Sequence, residues 1–313
     1  VNILVGDLGG TKVDLAFIKE GRLIKKKRFF SSQFKDFNEI LSLFIDQKID
    51  KGVLGVAGFV EKGRRCQMTH LSWSIEADLL EKIYSIPHVE ILNDLEALGW
   101  GLHELPKGAI LTLNKGKQQA GNRVVVSAGT GLGVAALYWD GKRHHPFATE
   151  GGHVDFAPKS NLEEEFYHYL LQKEKTRISF DQVLSKSGIE EFYQFLLTQS
   201  PHLQKVPEKM NIFHIVKETT PLCKEALLQF ASFYGAFSGN VALQFLSQGG
   251  VYLGGGIVPK IVKWLKGETF LQAFLAKGTF QKLLATFPIH LILHDHLPLI
   301  GAWKYSQRKH LFV

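Results

Sequence analysis

The sequence predicts an α/β protein in two lobes, each built on a mixed sheet. Three observations carry this reading. A block that runs strand, glycine turn, strand, turn, strand occurs twice. Helical and strand patterns follow each copy. A long uncharged run ends in a third group of glycines.

In the first copy, Ile3-Leu4-Val5 reads as a strand and Asp7-Leu8-Gly9-Gly10-Thr11 as a glycine turn. Val13–Phe17 is the returning strand, and Glu20-Gly21 a hairpin signal. Residues 123–142 align with residues 3–22 without a gap, at an offset of 120. There the parts are Val124-Val125-Val126, Ser127-Ala128-Gly129-Thr130-Gly131, Gly133–Leu137 and Asp140-Gly141. The matched spacing points to a duplicated unit.

After the first copy, Phe37, Ile40, Leu41, Phe44 and Ile45 fall at helical spacing, and Lys51–Val56 reads as a strand. Ile75, Leu79, Leu80 and Ile83 predict a helix with Ser74 as its N-cap. Val89–Leu92 predicts a strand and Leu95–Leu102 a helix. In the second half, helices are expected at Leu162–Gln172, Ile189–Thr198, Ala226–Gln248, Ile261–Leu265 and Leu299–Arg308, with strands at Val251–Leu253 and Ile289–Leu293.

From Ala226 to Pro259 there is no Asp, Glu, Lys or Arg. A membrane span needs ~20 mostly apolar residues, and the run has the length. It is interrupted by Gln229, Ser232, Ser238, Asn240 and Gln244, and its apolar residues Leu227, Phe230, Phe233, Phe237, Val241 and Phe245 step by three and four. That is the pattern of a helix buried in a folded protein, followed by a strand. The chain opens on a strand pattern rather than a signal peptide, so a cytosolic protein is expected.

The 313 residues are 45% hydrophobic and 21% charged, which excludes default disorder. The length suits two domains of ~100–200 residues. Cys66 and Cys223 are the two cysteines, too few for a disulfide scaffold or a Cys-rich zinc cage. The net charge is +7. Its densest cluster, Lys25–Arg28, reads as an exposed strand edge kept soluble by lysine, not as a nucleic-acid face. The run Glu163-Glu164-Glu165 is expected to be a solvated helix face.

Glycine lets backbone N–H groups approach a phosphate closely. The sequence has no G-x-x-x-x-G-K-[ST] loop. Gly129-Thr130-Gly131-Leu132-Gly133 lacks the dinucleotide spacing and leads into a strand rather than a helix. Two glycine hairpins facing each other would instead clamp a polyphosphate between lobes. Asp7 would hold Mg²⁺ through water, while Thr11 and Thr130 offer hydroxyls to phosphate oxygens. Asn93-Asp94 ends a strand and opens a helix. Spacing leaves two readings for Asp94: the N-cap of Leu95–Leu102, or a carboxylate facing a ligand crevice at the strand's C-terminal end.

Gly6-Asp7-Leu8-Gly9-Gly10-Thr11 and Ser127–Gly133 resemble the two phosphate motifs of the actin, sugar kinase and heat-shock ATPase superfamily. Gly254-Gly255-Gly256-Ile257-Val258-Pro259 resembles its adenosine motif. Glu150-Gly151-Gly152-His153-Val154-Asp155-Phe156-Ala157-Pro158 resembles the signature of bacterial hexokinase-type glucokinases. The resemblance runs from Gly6 to about Gly301. It implies a two-lobed actin-like (ribonuclease H-like) fold, with residues 1–106 plus 296–313 as a small lobe and 107–295 as a large one. It also implies transfer of the ATP γ-phosphoryl to the 6-hydroxyl of glucose, and a homodimer.

By the same resemblance, Asp94 is the catalytic base and Asn93, Glu150, His153 and Asp181 contact the sugar. Asp7, Gly9, Gly10, Thr11, Lys12, Gly129, Thr130, Gly131, Gly254, Gly255 and Gly256 hold Mg-ATP, with Asp7 at the metal. The chain departs from the family at Asp181, where Glu is usual, at Lys186 in the turn that follows, at His70 ahead of Trp73, and at Lys12, where Asn is more common. These departures keep open a kinase for another hexose and a non-catalytic sugar sensor. A sister family of sugar kinases and repressors carries a Cys-rich zinc motif that two cysteines do not provide. Its repressors need an N-terminal DNA-binding domain, for which the residues ahead of Gly6 leave no room, so regulation of DNA is not expected.

Overall fold

The computed structural model describes residues 1–199, 210–218 and 220–308. The chain forms two compact units. The smaller holds Val1–Pro106, Pro146–Ala148 and the segment from His294 onward. The larger holds Lys107–His145 and Thr149–Leu293.

The small unit contains β1 (Asn2–Leu8), β2 (Lys12–Lys19), β3 (Arg22–Phe30), α1 (Phe37–Phe44), β4 (Lys51–Val56), β5 (Gly58–Glu61), β6 (Arg65–Met68), β7 (Ser74–Glu76), α2 (Ala77–Tyr84), β8 (Val89–Asn93) and α3 (Asp94–Gly101). Its main sheet has the order β3-β2-β1-β4-β8. The β1–β2 and β2–β3 pairs are antiparallel, whereas β1–β4 and β4–β8 are parallel. β5, β6 and β7 form a separate antiparallel sheet.

The second half contains β9 (Ile110–Asn114), β10 (Arg123–Ala128), β11 (Leu132–Trp139), β12 (His144–Thr149), α4 (Asn161–Glu174), α5 (Phe180–Val183), α6 (Lys186–Gln199), α7 (Ile212–Lys217), α8 (Pro221–Gln244), β13 (Gly250–Gly254), α9 (Val262–Leu265), α10 (Glu268–Leu275), α11 (Gln281–Leu284) and β14 (Ile289–Ile292). The chain then returns to the small unit as α12 (Leu297–Ser306). The second sheet has the order β12-β11-β10-β13-β14-β9. Five strands repeat the small unit's order and directions, and β9 is added antiparallel at the far edge.

The duplication is therefore present, but the gap-free alignment is not. Leu8 pairs with Val13 in the first hairpin, and Ala128 with Leu132 in the second. The second turn is one residue shorter. A one-residue change in register moves every following side chain to the other face, so equivalent β2 and β11 positions lie 119 apart, not 120.

Each sheet alternates its faces into separate cores. In the small unit Leu4, Leu8, Leu15 and Phe17 pack with Phe37, Leu41 and Phe44 of α1. Val5, Ala16, Ile18 and Val53 point the other way, to Ala97 of α3 and to Leu299, Ala302 and Tyr305 of α12. In the large unit Val124, Val126, Val251 and Leu253 face an aromatic layer that includes Phe166, Phe192, Phe230, Phe233 and Phe237. Rings meet edge to face there, as at Phe166–Phe192, 4.8 Å between centroids.

The uncharged run is the buried α8 followed by β13. The helix starts earlier than its apolar pattern, because the Thr220 hydroxyl accepts from Cys223 N and Pro221 occupies the first turn. Among the described residues no helix is long and apolar enough to cross a membrane. Both cysteines are buried and neither is in a disulfide. β3, with its lysines, is the edge of its sheet, as its charge pattern predicts.

Two local expectations are corrected. Ser74 does not cap α2: it pairs with Gln67 in the β6–β7 ladder, and its hydroxyl donates to Glu76. That ladder extends the chain to Glu76 before the helix can begin. Glu163 is not solvated either. It is buried, and its carboxylate accepts from Lys159 N at 2.8 Å and from Gln229 Nε2 at 3.2 Å. The Ser160 cap of α4 places Glu163 in the first turn, where its side chain reaches back along the chain.

Candidate active site

In the small unit the β1–β2 turn presents Gly9, Gly10 and Thr11. Gly9 N donates to Lys12 O at 3.0 Å. Ser31, which is buried, braces the turn from behind. Its N–H donates to Thr11 O at 3.1 Å, and its hydroxyl to Gly9 O at 3.3 Å. His70 packs against Gly10. Neither brace is legible in the sequence, since both contacts come from distant segments.

Asp7 lies directly across the ladder from Asp14. Like charges in that position destabilise a sheet. Asp14, only 1% exposed, is met by Arg28 with two parallel bonds, Nε to Oδ1 and Nη2 to Oδ2, each 2.7 Å. Burial, and then the charges of Asp94 and Asp14, push Asp7 up to about 7, against the pull of Lys12 and Arg28. Lys12 Nζ stands 3.6 Å from Asp295 Oδ2, on the segment leading into α12.

The structure decides which residue of the Asn93-Asp94 pair caps the helix. Asn93, not Asp94, is the N-cap of α3. Its Oδ1 accepts from Leu95 N at 2.9 Å and Glu96 N at 3.3 Å, and its Nδ2 donates to Gly58 O at 3.1 Å. Asp94 is thus the first helical residue, at the positive end of the helix, where a carboxylate is stabilised. The cap fixes the backbone from which Asp94 projects, and the parallel pair β4–β8 fixes the cap.

In the large unit Gly129 N donates to Gly131 O at 2.8 Å, closing the second glycine turn. The third glycine set folds over the same strand end. Gly255 has φ +92°, and a Cβ there would collide with Ala128 O. Ile257 N donates to that same Ala128 O at 3.2 Å. Gly256 differs: a Cβ would meet nothing within 4 Å. The buried Tyr234 hydroxyl donates to Val126 O at 2.7 Å and lies 3.4 Å from Gly254 O, pinning the ends of β10 and β13 together. The structure so brings the glycines of two sequence motifs, over a hundred residues apart, to the C-terminal ends of two neighbouring strands.

Glu150 and His153 bracket a single turn of 3₁₀ helix, with His153 Nε2 3.8 Å from Glu150 Oε2 and both side chains exposed. Asp181 Oδ1 accepts from Leu132 N at 2.7 Å, a bond to the glycine hairpin.

Among the described residues no group of three or more His, Cys, Asp or Glu side chains is placed to hold a metal ion. Mg²⁺ does not require one, since it keeps waters and uses one or two carboxylates plus substrate phosphates. The mutual repulsion of Asp7 and Asp94 is what a divalent cation beside Asp7 would relieve. The donor set therefore fits this ion.

Comparison with known proteins places this geometry. The family model described as Glucokinase matches residues 4–309. A glucokinase of Nostoc sp. is 34% identical, with 96% of this chain and 97% of the relative covered. A glucokinase of Yersinia pestis is 31% identical, with 98% and 96% covered. Among solved structures, glucokinase from an Antarctic psychrotroph superposes with a TM-score of 0.79 at 25% identity, covering 97% of this chain and 98% of the other. Glucokinase from Balamuthia mandrillaris in complex with glucose gives 0.85 at 18% identity, covering 98% and 94%. The duplicated mixed sheets are those of the actin-like ATPase fold. With a match across nearly its whole length and relatives above 30% identity, the chain belongs to the glucokinase family.

Proposed function

We propose that the protein transfers the γ-phosphoryl group of ATP to the 6-hydroxyl of glucose, giving glucose 6-phosphate and ADP. The observation that carries the chemistry is the Asn93 cap, which sets Asp94 as the first residue of α3. Asp94 accepts the proton of the 6-hydroxyl as its oxygen bonds to the γ-phosphorus and the bond to the β,γ-bridging oxygen breaks. A positioned base of this kind contributes about 10²–10⁴-fold. Glu150 and His153 take other sugar hydroxyls, one as acceptor and one in either sense. Asn93 Nδ2 adds its second N–H.

The glycine turns at Gly9–Thr11 and Gly129–Gly131 direct backbone N–H groups at the phosphates, and Gly256 leaves an open face for the adenosine. Lys12 offsets phosphate charge. Mg²⁺, held through Asp7, would neutralise charge on the β- and γ-phosphoryl oxygens. Positioning and electrostatics supply most of such catalysis.

The stretch Glu150–Pro158 and the lack of a Cys-rich zinc motif support the hexokinase-type branch of the family. A cytosolic homodimer follows from the same resemblance, and light scattering on the purified protein reads the oligomer. A coupled assay with Mg-ATP and a panel of hexoses tests the function. Turnover of glucose above the other hexoses is expected. A different preferred hexose would reassign the substrate, and glucose binding without turnover of any hexose would make the protein a sensor.

A further inference from the structure

The segment from Arg177 to Lys186 ties two loops of the large unit together. At one end Arg177 Nη1 donates to His153 O and to Asp155 Oδ1, both at 2.8 Å. Phe156 N donates to Ile178 O at 2.9 Å, and Phe180 N to Val154 O at 3.0 Å. This end is thus laced to the turn that carries Glu150 and His153. At the other end Leu132 N donates to Asp181 Oδ1 at 2.7 Å, and Lys186 N to Gly129 O at 3.0 Å. These two bonds flank the glycine turn, one on each side. Leu132 is held twice, since Gly152 of the sugar turn packs on its carbonyl oxygen.

We infer that Asp181 is a positioning residue for the phosphate-donor hairpin, and that the 177–186 strap couples donor binding to sugar binding. The inference rests on the glucokinase reading for which loop takes which substrate. Its physical content is simple. A carboxylate that accepts from the amide just after Gly131 fixes where the hairpin's remaining N–H groups point. The same four-residue stretch, 178–181, is bonded to the backbone on either side of Asp155. Ordering the turn at Glu150–His153 with sugar therefore stiffens the support of the donor hairpin.

The test uses purified full-length protein, with calorimetric binding of a non-hydrolysable ATP analogue with Mg²⁺, in the presence and absence of glucose, alongside steady-state kinetics. In the wild type, glucose tightens the analogue. Asp181→Ala removes one charge-assisted hydrogen bond and is expected to raise KM for ATP about tenfold. Asp181→Asn keeps an acceptor for Leu132 N and restores most of the ATP affinity. Arg177→Ala, a change at an exposed side chain, leaves both separate affinities near wild type and weakens the coupling between them, while the backbone bonds of the strap remain. A rise in KM for glucose alone in Asp181→Ala would make Asp181 a sugar ligand and overturn the inference. So would glucose-dependent tightening that is undiminished in Arg177→Ala. Absence of glucose phosphorylation by the wild type would instead sink the glucokinase reading, and the binding arms still report on the strap.

Discussion

Gly152 packs directly on the carbonyl oxygen of Leu132, so closely that a Cβ could not be accommodated. The contact joins the turn of Glu150 and His153 to the strand that leaves the second glycine hairpin. It explains why Gly152 stands in a turn whose ordinary 3₁₀ form needs no glycine.

Gly152→Ala is expected to force the turn away from Leu132. Overpacking of this kind costs about 1–3 kcal/mol, readable as a lower urea midpoint. KM for glucose should rise, because Glu150 and His153 ride on the displaced turn. An unchanged urea midpoint would show that the turn relaxes freely.

Gly255 and Gly256 are neighbours with opposite tolerances. Gly255→Ala must leave φ +92° or strike Ala128 O, and it should lower stability. Gly256→Ala meets nothing in the protein. It should leave thermal melting unchanged while raising KM for ATP, since the added methyl occupies the face proposed for the adenosine. Equal melting points and equal KM for ATP in Gly256→Ala would move the nucleotide elsewhere.

Asp94→Asn is expected to lower kcat by about 10²–10⁴-fold, the range of a lost general base. Glucose binding by calorimetry should persist, because the Asn93 cap stays and the substituted side chain keeps an oxygen for Leu95 N, which Asp94 Oδ1, at 3.0 Å, shares with Asn93 Oδ1. Near-normal turnover would exclude Asp94 as the base.

Two partly buried carboxylates of the ligand-free protein should each contribute less stability as pH rises from about 4 to 7. Asp7 is pushed up to about 7 by burial and by Asp94 and Asp14. Glu96 is pushed up to about 7 by burial, against the pull of Arg308. Both would titrate near ~4 in the unfolded chain, so folding favours their protonated forms. Their stabilising contribution is full below about pH 4 and is lost as pH passes the folded values. Glu96→Gln should therefore raise the urea midpoint over wild type at pH 8 and change it little at pH 4. A difference that is larger at pH 4 would reverse the assignment.

Local patterns carried much of the fold. Lys51–Val56 matches its strand residue for residue, because a short apolar run needs no distant partner to be read. The β5–β7 sheet and β9 are not legible, since strands of three to five residues are defined by the ladders they join. The one-residue difference between the two hairpins is likewise a property of pairing, as the glycines themselves align. At the site, the motifs located Asp94 and the glycines, whereas their supports came from elsewhere in the chain. Ser31 behind Gly9, Arg28 on Asp14 and Asp181 on Leu132 each depend on tertiary proximity. Glu163 shows the same limit in reverse: three consecutive acids read as solvent-facing, and one of them is buried by its cap.

The return of α12 to the small unit has a consequence for biosynthesis. The face formed by Val5, Ala16, Ile18 and Val53 is covered by Leu299, Ala302 and Tyr305, which are translated only after the whole of the large unit. At ribosomal rates of ~5–20 residues per second, the early strands wait about 12–50 s for their cover. During that interval the nascent chain presents an apolar sheet face that chaperones would have to shield, and a message truncated before α12 would yield a small unit that never closes.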